Sequence, residues 1–457
     1  MQIALIDDGI NNDRFPKLNV VEDLSVFENT IKARKSEESL LTDHGTTCAR
    51  IINQYSAGVE FISLRLFHDI NLKTSCEQLL TAFRWCLHKR VPIIHLSLGT
   101  NLLNDYYLLK PLIAEAISQN QVVIAACSNQ DKISYPAAIS GVLAVIADPS
   151  LEDDQYFVEV SSENHLLFRA SSYHKLIGHE DHFLATQLAN SYAAPTITAK
   201  VHEFLKHFDE LSMPIKKVFQ ALAGEEIEPS FYRPDFIWKT RIWNPGNFFL
   251  LKEHVSFQLV DNPEADVKSD LLLIPVPNVD CPYEVGSEDN ILIAGIDKSL
   301  LTQNHNLMWS ENDLRKIEVD GSRSLDDIDC PFIQIVGSET EMIKGSCLLR
   351  DAFIEDGYQC LAVSDISHSY LYGLEYQENL SKNLLILSNL VYLYQPDVTL
   401  FATRDGKSSE EFEDLWNVHI NSERSTGVLR GKKGFFLNSP EAKEVKILFD
   451  AILKRLA

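Results

Sequence analysis

Residues 3–10, IALIDDGI, set the reading of this chain: a run of four apolar residues, then two carboxylates and a glycine. A short apolar run without alternation, closed by turn residues, is how a strand buried on both faces reads. Residues 2–6 are therefore expected to form a buried strand that delivers Asp7 at its C-terminal end. The same rhythm continues outward. Residues 57–67 (AGVEFISLRLF), 91–99 (VPIIHLSLG), 121–129 (QVVIAACSN) and 141–147 (GVLAVIA) read as strands. Residues 74–89 and 106–119 carry apolar side chains at helical spacing. Residues 195–208 read as a helix opened by Pro195 at its first turn. Residues 215–224 read as a helix capped by Gly224. Strands alternating with helices predict an α/β fold with a mostly parallel sheet.

Three further segments join the first. In 43–52, DHGTTCARII, His44 precedes a glycine and a stretch able to run as a helix. In 123–131, VIAACSNQD, a strand ends near Asn129. In 189–201, ANSYAAPTITAKV, Ser191 precedes small residues and a helix. Strand C-termini and helix N-termini of a parallel sheet collect at one edge. Acyl transfer needs a hydroxyl nucleophile, an imidazole to take its proton, a carboxylate to orient the imidazole and donors for the oxyanion. Asp7, His44, Ser191 and Asn129 supply that set in one of the known chain orders.

The four segments resemble the signature blocks of the subtilases, the subtilisin-like serine peptidases. IDDGI is similar to the aspartate block, DHGTTCA to the histidine block, AACSN to the oxyanion block and NSYAAP to the serine block. The resemblance covers roughly residues 1–225, about half the chain. It implies Asp7, His44 and Ser191 as catalytic residues and Asn129 as oxyanion donor. Through IIHLSLG it implies Ser97, Leu98 and Gly99 as substrate-binding residues, and SYPAAISGVLAV is similar to a further segment of the family. No cofactor and no metal are expected. Asp7 lies at the very start, so an intracellular type without a prodomain is expected. Asp8 stands where the family has a small hydroxyl residue, and is expected to point to the other face. Ala189 and Asn190 replace Gly and Thr, and Ser128 replaces a Gly.

Residues 226–266 are rich in proline and aromatics without a clear period and read as a linker. From 267 to 457 the α/β rhythm resumes as a second, accessory domain. Within it GSETEMIKGS, residues 337–346, resembles a degenerate P-loop-like turn with Lys344 in the lysine position; the Gly before and the hydroxyl after that lysine are missing. The domain is similar to proteins of bacterial peptide-maturation systems. That implies a peptide or protein substrate such as a precursor (leader) peptide, and a peptide-modifying enzyme as partner. Two other readings stand beside the peptidase: an inactive peptide-binding scaffold, and a nucleotide-dependent regulator acting through the second domain.

Composition bounds the rest. The chain has 457 residues and a formal charge of −24. An acidic surface argues against nucleic acid and against anionic membrane as partners. No apolar stretch of about 18 residues is present, and the N-terminus lacks the pattern of a secretory signal. Eight dispersed cysteines without a CxxC pair indicate neither a zinc site nor a disulfide framework. A reducing, cytoplasmic setting is the expectation. Cys281 and Cys330, in DCP triplets, and His68 and His95 read as structural. Residues 408–416 read as a solvated acidic helix.

Overall fold

The computed structural model describes residues 1–224 apart from 36–39, 70–72, 131, 161–165 and 178–182. It also describes 328–456 apart from 367, 379, 381, 405–414, 421–426 and 429–433. Between them it describes 227, 229, 231–237, 240–243, 257–260, 271–274, 290–293 and 306–314. The chain packs into two compact units. One comprises Met1–Asn101, Asp105–Trp243 and Val260–Asp313; the other comprises Leu102–Asn104, Asn244–Leu259 and Leu314–Ala457.

The first unit is built on a nine-stranded sheet. Its strands are β1 (Gln2–Asp7), β2 (Val20–Val26), β3 (Ile31–Ala33), β4 (Glu60–Arg65), β5 (Ile93–Leu96), β6 (Val122–Ala126), β7 (Leu143–Ala147), β8 (Tyr156–Val160) and β9 (Leu166–Ala170), in the order β3-β2-β4-β1-β5-β6-β7-β9-β8. The seven inner strands are parallel; only β3 and β8, at the edges, run antiparallel to their neighbours. Ile3, Ala4, Leu5 and Ile6 have no exposed surface, as expected for a central strand covered on both faces. Helices α1 (His44–Tyr55), α2 (Cys76–Lys89), α3 (Leu103–Ser118), α4 (Asn190–Leu205) and α5 (Ile215–Ala223) complete the layers. A hairpin, β10 (Lys175–Ile177) and β11 (Phe183–Ala185), precedes α4.

Helix α4 starts five residues earlier than the sequence reading had it, so Pro195 lies inside the helix rather than at its first turn. A proline there cannot donate to the carbonyl four residues back, that of Ser191. The thiol of Cys48 on α1 donates to that carbonyl instead, at 3.5 Å. The helix is buried along most of its length and packs on α1, β5, β6 and β7. The strands Thr240–Trp243, Leu271–Ile274, Asn290–Ile293 and Leu307–Ser310 form a separate parallel sheet. The first of these falls in the stretch read as a linker.

In the second unit a sheet centres on Phe332–Val336, flanked in parallel by Val398–Ala402 and Leu415–Ile420. Helices Glu339–Glu355 and Ala442–Leu456 pack together beside it. The P-loop-like stretch is not a loop: Lys344 sits in the second turn of Glu339–Glu355. The helix end is occupied by the Glu341 carboxylate, which accepts the Ser338 N–H at 3.0 Å and its hydroxyl at 2.7 Å. A carboxylate in that place repels phosphate, so the resemblance to a P-loop ends with the sequence. Residues 408–414 of the expected acidic helix lie outside the described residues, while Leu415 and Trp416 open a strand. Cys281 also lies outside the described residues, and the other seven cysteines are free thiols. No helix among the described residues is long and apolar enough to cross a membrane.

Candidate active site

The C-terminal ends of β1, β5 and β6 and the N-termini of α1 and α4 meet at one edge of the large sheet. Asp7 is the last residue of β1 and is 2% exposed. His44 is the first residue of α1. Its Nδ1 lies 2.9 Å and 3.0 Å from the two carboxylate oxygens of Asp7. The backbone contact between strand and helix is close: a Cβ at Gly45 would lie 2.7 Å from the Gly9 carbonyl oxygen. A glycine after the histidine is what lets α1 approach the end of β1. Gly9 has a φ of +104°, in the region glycine favours.

Asp7 is held from three sides. Besides His44 it accepts the N–H of Asp8 at 2.7 Å and the hydroxyl of Ser97. Burial opposes its charge, but His44 and these donors outweigh burial and hold its pKa below the usual value. Burial likewise opposes protonation of His44, and the Asp7 carboxylate outweighs it, so the His44 pKa is raised. The pair therefore stabilises an imidazolium, the state a general base passes through. The His44 ring also lies 5.1 Å from the Tyr192 ring, centroid to centroid.

Asp8 departs from expectation. The strand ends at Asp7, so side-chain alternation no longer governs Asp8. Its carboxylate turns onto α1, where it accepts the Gly45 N–H at 2.7 Å and the Thr42 hydroxyl. Burial and the neighbouring Asp7 charge push its pKa up to about 6.

Ser191 is the second residue of α4. Ala189 before the helix has φ −160° and ψ 142°, an extended backbone any residue adopts, so replacing the glycine introduces no strain. Asn190 does more than its place as a threonine replacement suggests. Its Oδ1 accepts the Ala147 N–H at 2.8 Å, and its Nδ2 donates to the carbonyls of Cys127 at 3.1 Å and Ser128 at 2.8 Å. Its backbone N–H donates to Oδ1 of Asn129 at 2.9 Å. That donor fixes the amide orientation of Asn129, leaving the Asn129 NH2 as the end that can stabilise an oxyanion. No hydrogen bond joins the Ser191 hydroxyl to the His44 ring among the described residues; in unliganded sites such bonds are often long and tighten with substrate.

Ser97, Leu98 and Gly99 follow β5. The Ser97 hydroxyl is engaged with Asp7 rather than presented outward. A Cβ at Gly99 would lie 2.9 Å from the Tyr135 carbonyl oxygen, and Thr100 bridges Tyr135 beside it. His95 is fully buried with Nδ1 on the Thr198 hydroxyl at 2.7 Å, and burial lowers its pKa to about 4, so it stays neutral. Among the described residues one trio, Asp7, His44 and Cys48, brings possible metal donors within 4.8 Å of one another. Burial raises the Cys48 thiol well above its ordinary pKa, and the other two are engaged with each other. The trio does not make a ligand set.

The fold and this edge define the class of subtilisin-like serine endopeptidases. Residues 1–213 match the model of the Subtilase family. No curated protein matches the chain. Solved structures similar to it include a lanthipeptide protease, 14% identical, covering 50% of this chain and 76% of that one with a TM-score of 0.33. They also include the epidermin leader peptide processing serine protease EpiP from Staphylococcus aureus, 14% identical over 48% of this chain and 68% of that one, TM-score 0.38. The nisin leader peptidase NisP from Lactococcus lactis is 13% identical over 46% of this chain and 79% of that one, TM-score 0.33.

Proposed function

We propose that this chain cleaves a peptide bond in a precursor peptide, with Ser191 as nucleophile, His44 as general base and acid, Asp7 as the orienting carboxylate and Asn129 as oxyanion donor. The observation that carries the reading is the buried Asp7 carboxylate on Nδ1 of His44. It fixes the tautomer that leaves Nε2 to accept a proton. Ser191 Oγ adds to the scissile carbonyl as its proton passes to Nε2. The negative charge that forms on the carbonyl oxygen is met by the Asn129 NH2 and by backbone N–H at the start of α4. Nε2 then protonates the leaving amine and the C–N bond breaks. Water adds to the acyl-enzyme, gives its proton to Nε2 and releases the new carboxylate, restoring Ser191.

A precursor peptide is the substrate class that the second domain's resemblance to peptide-maturation proteins favours, and a peptide-modifying enzyme is the partner that fits it. Leader-peptide processing is the work named for the EpiP and NisP enzymes. We place the peptidase domain at residues 1–225 and the accessory domain at 267–457, in a cytoplasmic protein. The second reading is a scaffold that binds peptide without cutting it. Mass spectrometry of precursor peptides incubated with wild type and with Ser191→Ala separates them. Cleavage by wild type alone supports the peptidase; tight binding without cleavage supports the scaffold.

A further inference from the structure

The first turn of α1 is capped by a residue from another element. Asp43 precedes the helix, but its side chain makes no cap hydrogen bond and pairs with Arg14 at 2.8 Å. The first two helical N–H groups lead to Asp8 instead. Gly45 donates directly to Oδ1 of Asp8 at 2.7 Å. His44 donates its N–H to the Thr42 hydroxyl at 3.2 Å, and that hydroxyl donates to Oδ2 of Asp8. Asp8 is 2% exposed, so it is closed to substrate. A Cβ on Gly45 would lie 2.9 Å from Oδ1 of Asp8, and the glycine keeps this contact open. A serine side chain in place of Asp8 would carry one oxygen in place of two and no charge.

We propose that Asp8 is a positioning residue for the base: it clamps the first turn of α1, and with it the His44 backbone. Its charge also adds to that of Asp7 in favouring the imidazolium. This rests on the reading of His44 as the base. The groups acting on Asp8 are Asp7 from β1, which opposes its ionisation, and His44 from α1, which favours it; Cys48 and Tyr192 feel its charge in turn. Burial and Asp7 together place the Asp8 ionisation at about 6. Loss of activity toward acid then carries two protons, one on His44 and one on Asp8.

The test is the pH dependence of peptide cleavage by wild type, Asp8→Asn and Thr42→Val, with folding checked by circular dichroism. Asp8→Asn keeps the shape and removes the charge. We expect its kcat to fall by about tenfold or more with KM little changed, and its acid limb to move to lower pH and lose steepness. Thr42→Val keeps the carboxylate but removes the bridge and the hydrogen bond that lowers the Asp8 pKa, so kcat falls and the acid limb moves to higher pH, opposite to Asp8→Asn; this variant carries the test if Asp8→Asn does not fold. An active wild type whose two variants share its kcat and its acid limb overturns the role of Asp8 alone. A wild type that cleaves no peptide and takes up no fluorophosphonate overturns the reading of the site and this inference with it.

Discussion

The backbone N–H of Asn190 and the side-chain Oδ1 of Asn129 lie 2.9 Å apart, donor to acceptor. This contact couples the residue preceding the nucleophile to the proposed oxyanion donor. The side chain of Asn190 extends the coupling to the ends of β6 and β7 through Cys127, Ser128 and Ala147. Serine and oxyanion donor are thus carried on one hydrogen-bonded assembly. Asn190→Ala removes three of its bonds and leaves partly buried backbone groups of Cys127, Ser128 and Ala147 without these partners. A fully buried group left this way costs about 1–3 kcal/mol, and these half-buried ones cost less. Urea denaturation should show the lower stability, and kcat should fall with it.

Asn129→Leu removes the NH2 proposed to meet the oxyanion while retaining side-chain volume. One donor of this kind is worth about 10²–10³ in kcat. Steady-state kinetics on a cleaved peptide should show that loss with KM nearly unchanged. A change confined to KM would assign Asn129 to ground-state binding.

Ser97→Ala withdraws the hydroxyl that Asp7 accepts. Hydrogen bonds to charged groups contribute about 1.5–3 kcal/mol. The Asp7 carboxylate should become easier to protonate and less firmly oriented, and kcat should fall about tenfold or more. Full activity in Ser97→Ala would return that residue to the substrate-binding role the sequence implies.

The raised pKa of His44 has opposite consequences for activity and stability. Activity needs the neutral ring and should appear as pH rises through a value above the ordinary histidine pKa of about 6.5. The stabilisation from the imidazolium is fully present below the unfolded-state pKa and is lost as pH rises through the folded one. Burial depresses the pKa of His95, His174 and His202, and these pull stability the other way. The measurement is therefore the difference in Tm between wild type and His44→Ala, which should shrink as pH rises from about 6.5 upward.

The parallel sheet is legible because its strands are uniform apolar runs: Ile3 to Ile6 and Val122 to Ala126 are buried on both faces and could not alternate. Asp7, His44, Asn129 and Ser191 are legible because each stands at a junction between a strand and a loop or at the start of a helix. What the sequence hides is partner choice across elements. Asp43 has the chemistry of an N-cap, yet Asp8 from β1 meets the helix. Pro195 reads as a helix start because proline suits a first turn, yet Cys48 takes over the carbonyl it cannot reach. Asn190 reads as a substitution for threonine, and its four contacts to two other segments leave no local pattern. Lys344 follows a glycine and a serine at nearly P-loop spacing, but Glu341 occupies the helix end first.

The central claim is that Ser191 is a nucleophile activated by His44, and active-site titration with a fluorophosphonate tests it most directly. Intact mass and peptide mapping should find a single covalent adduct per chain, on the peptide bearing Ser191. The adduct should be absent in Ser191→Ala and form far more slowly in His44→Ala. A wild-type chain that remains unlabelled, or a Ser191→Ala chain labelled as fully as wild type, would contradict the account.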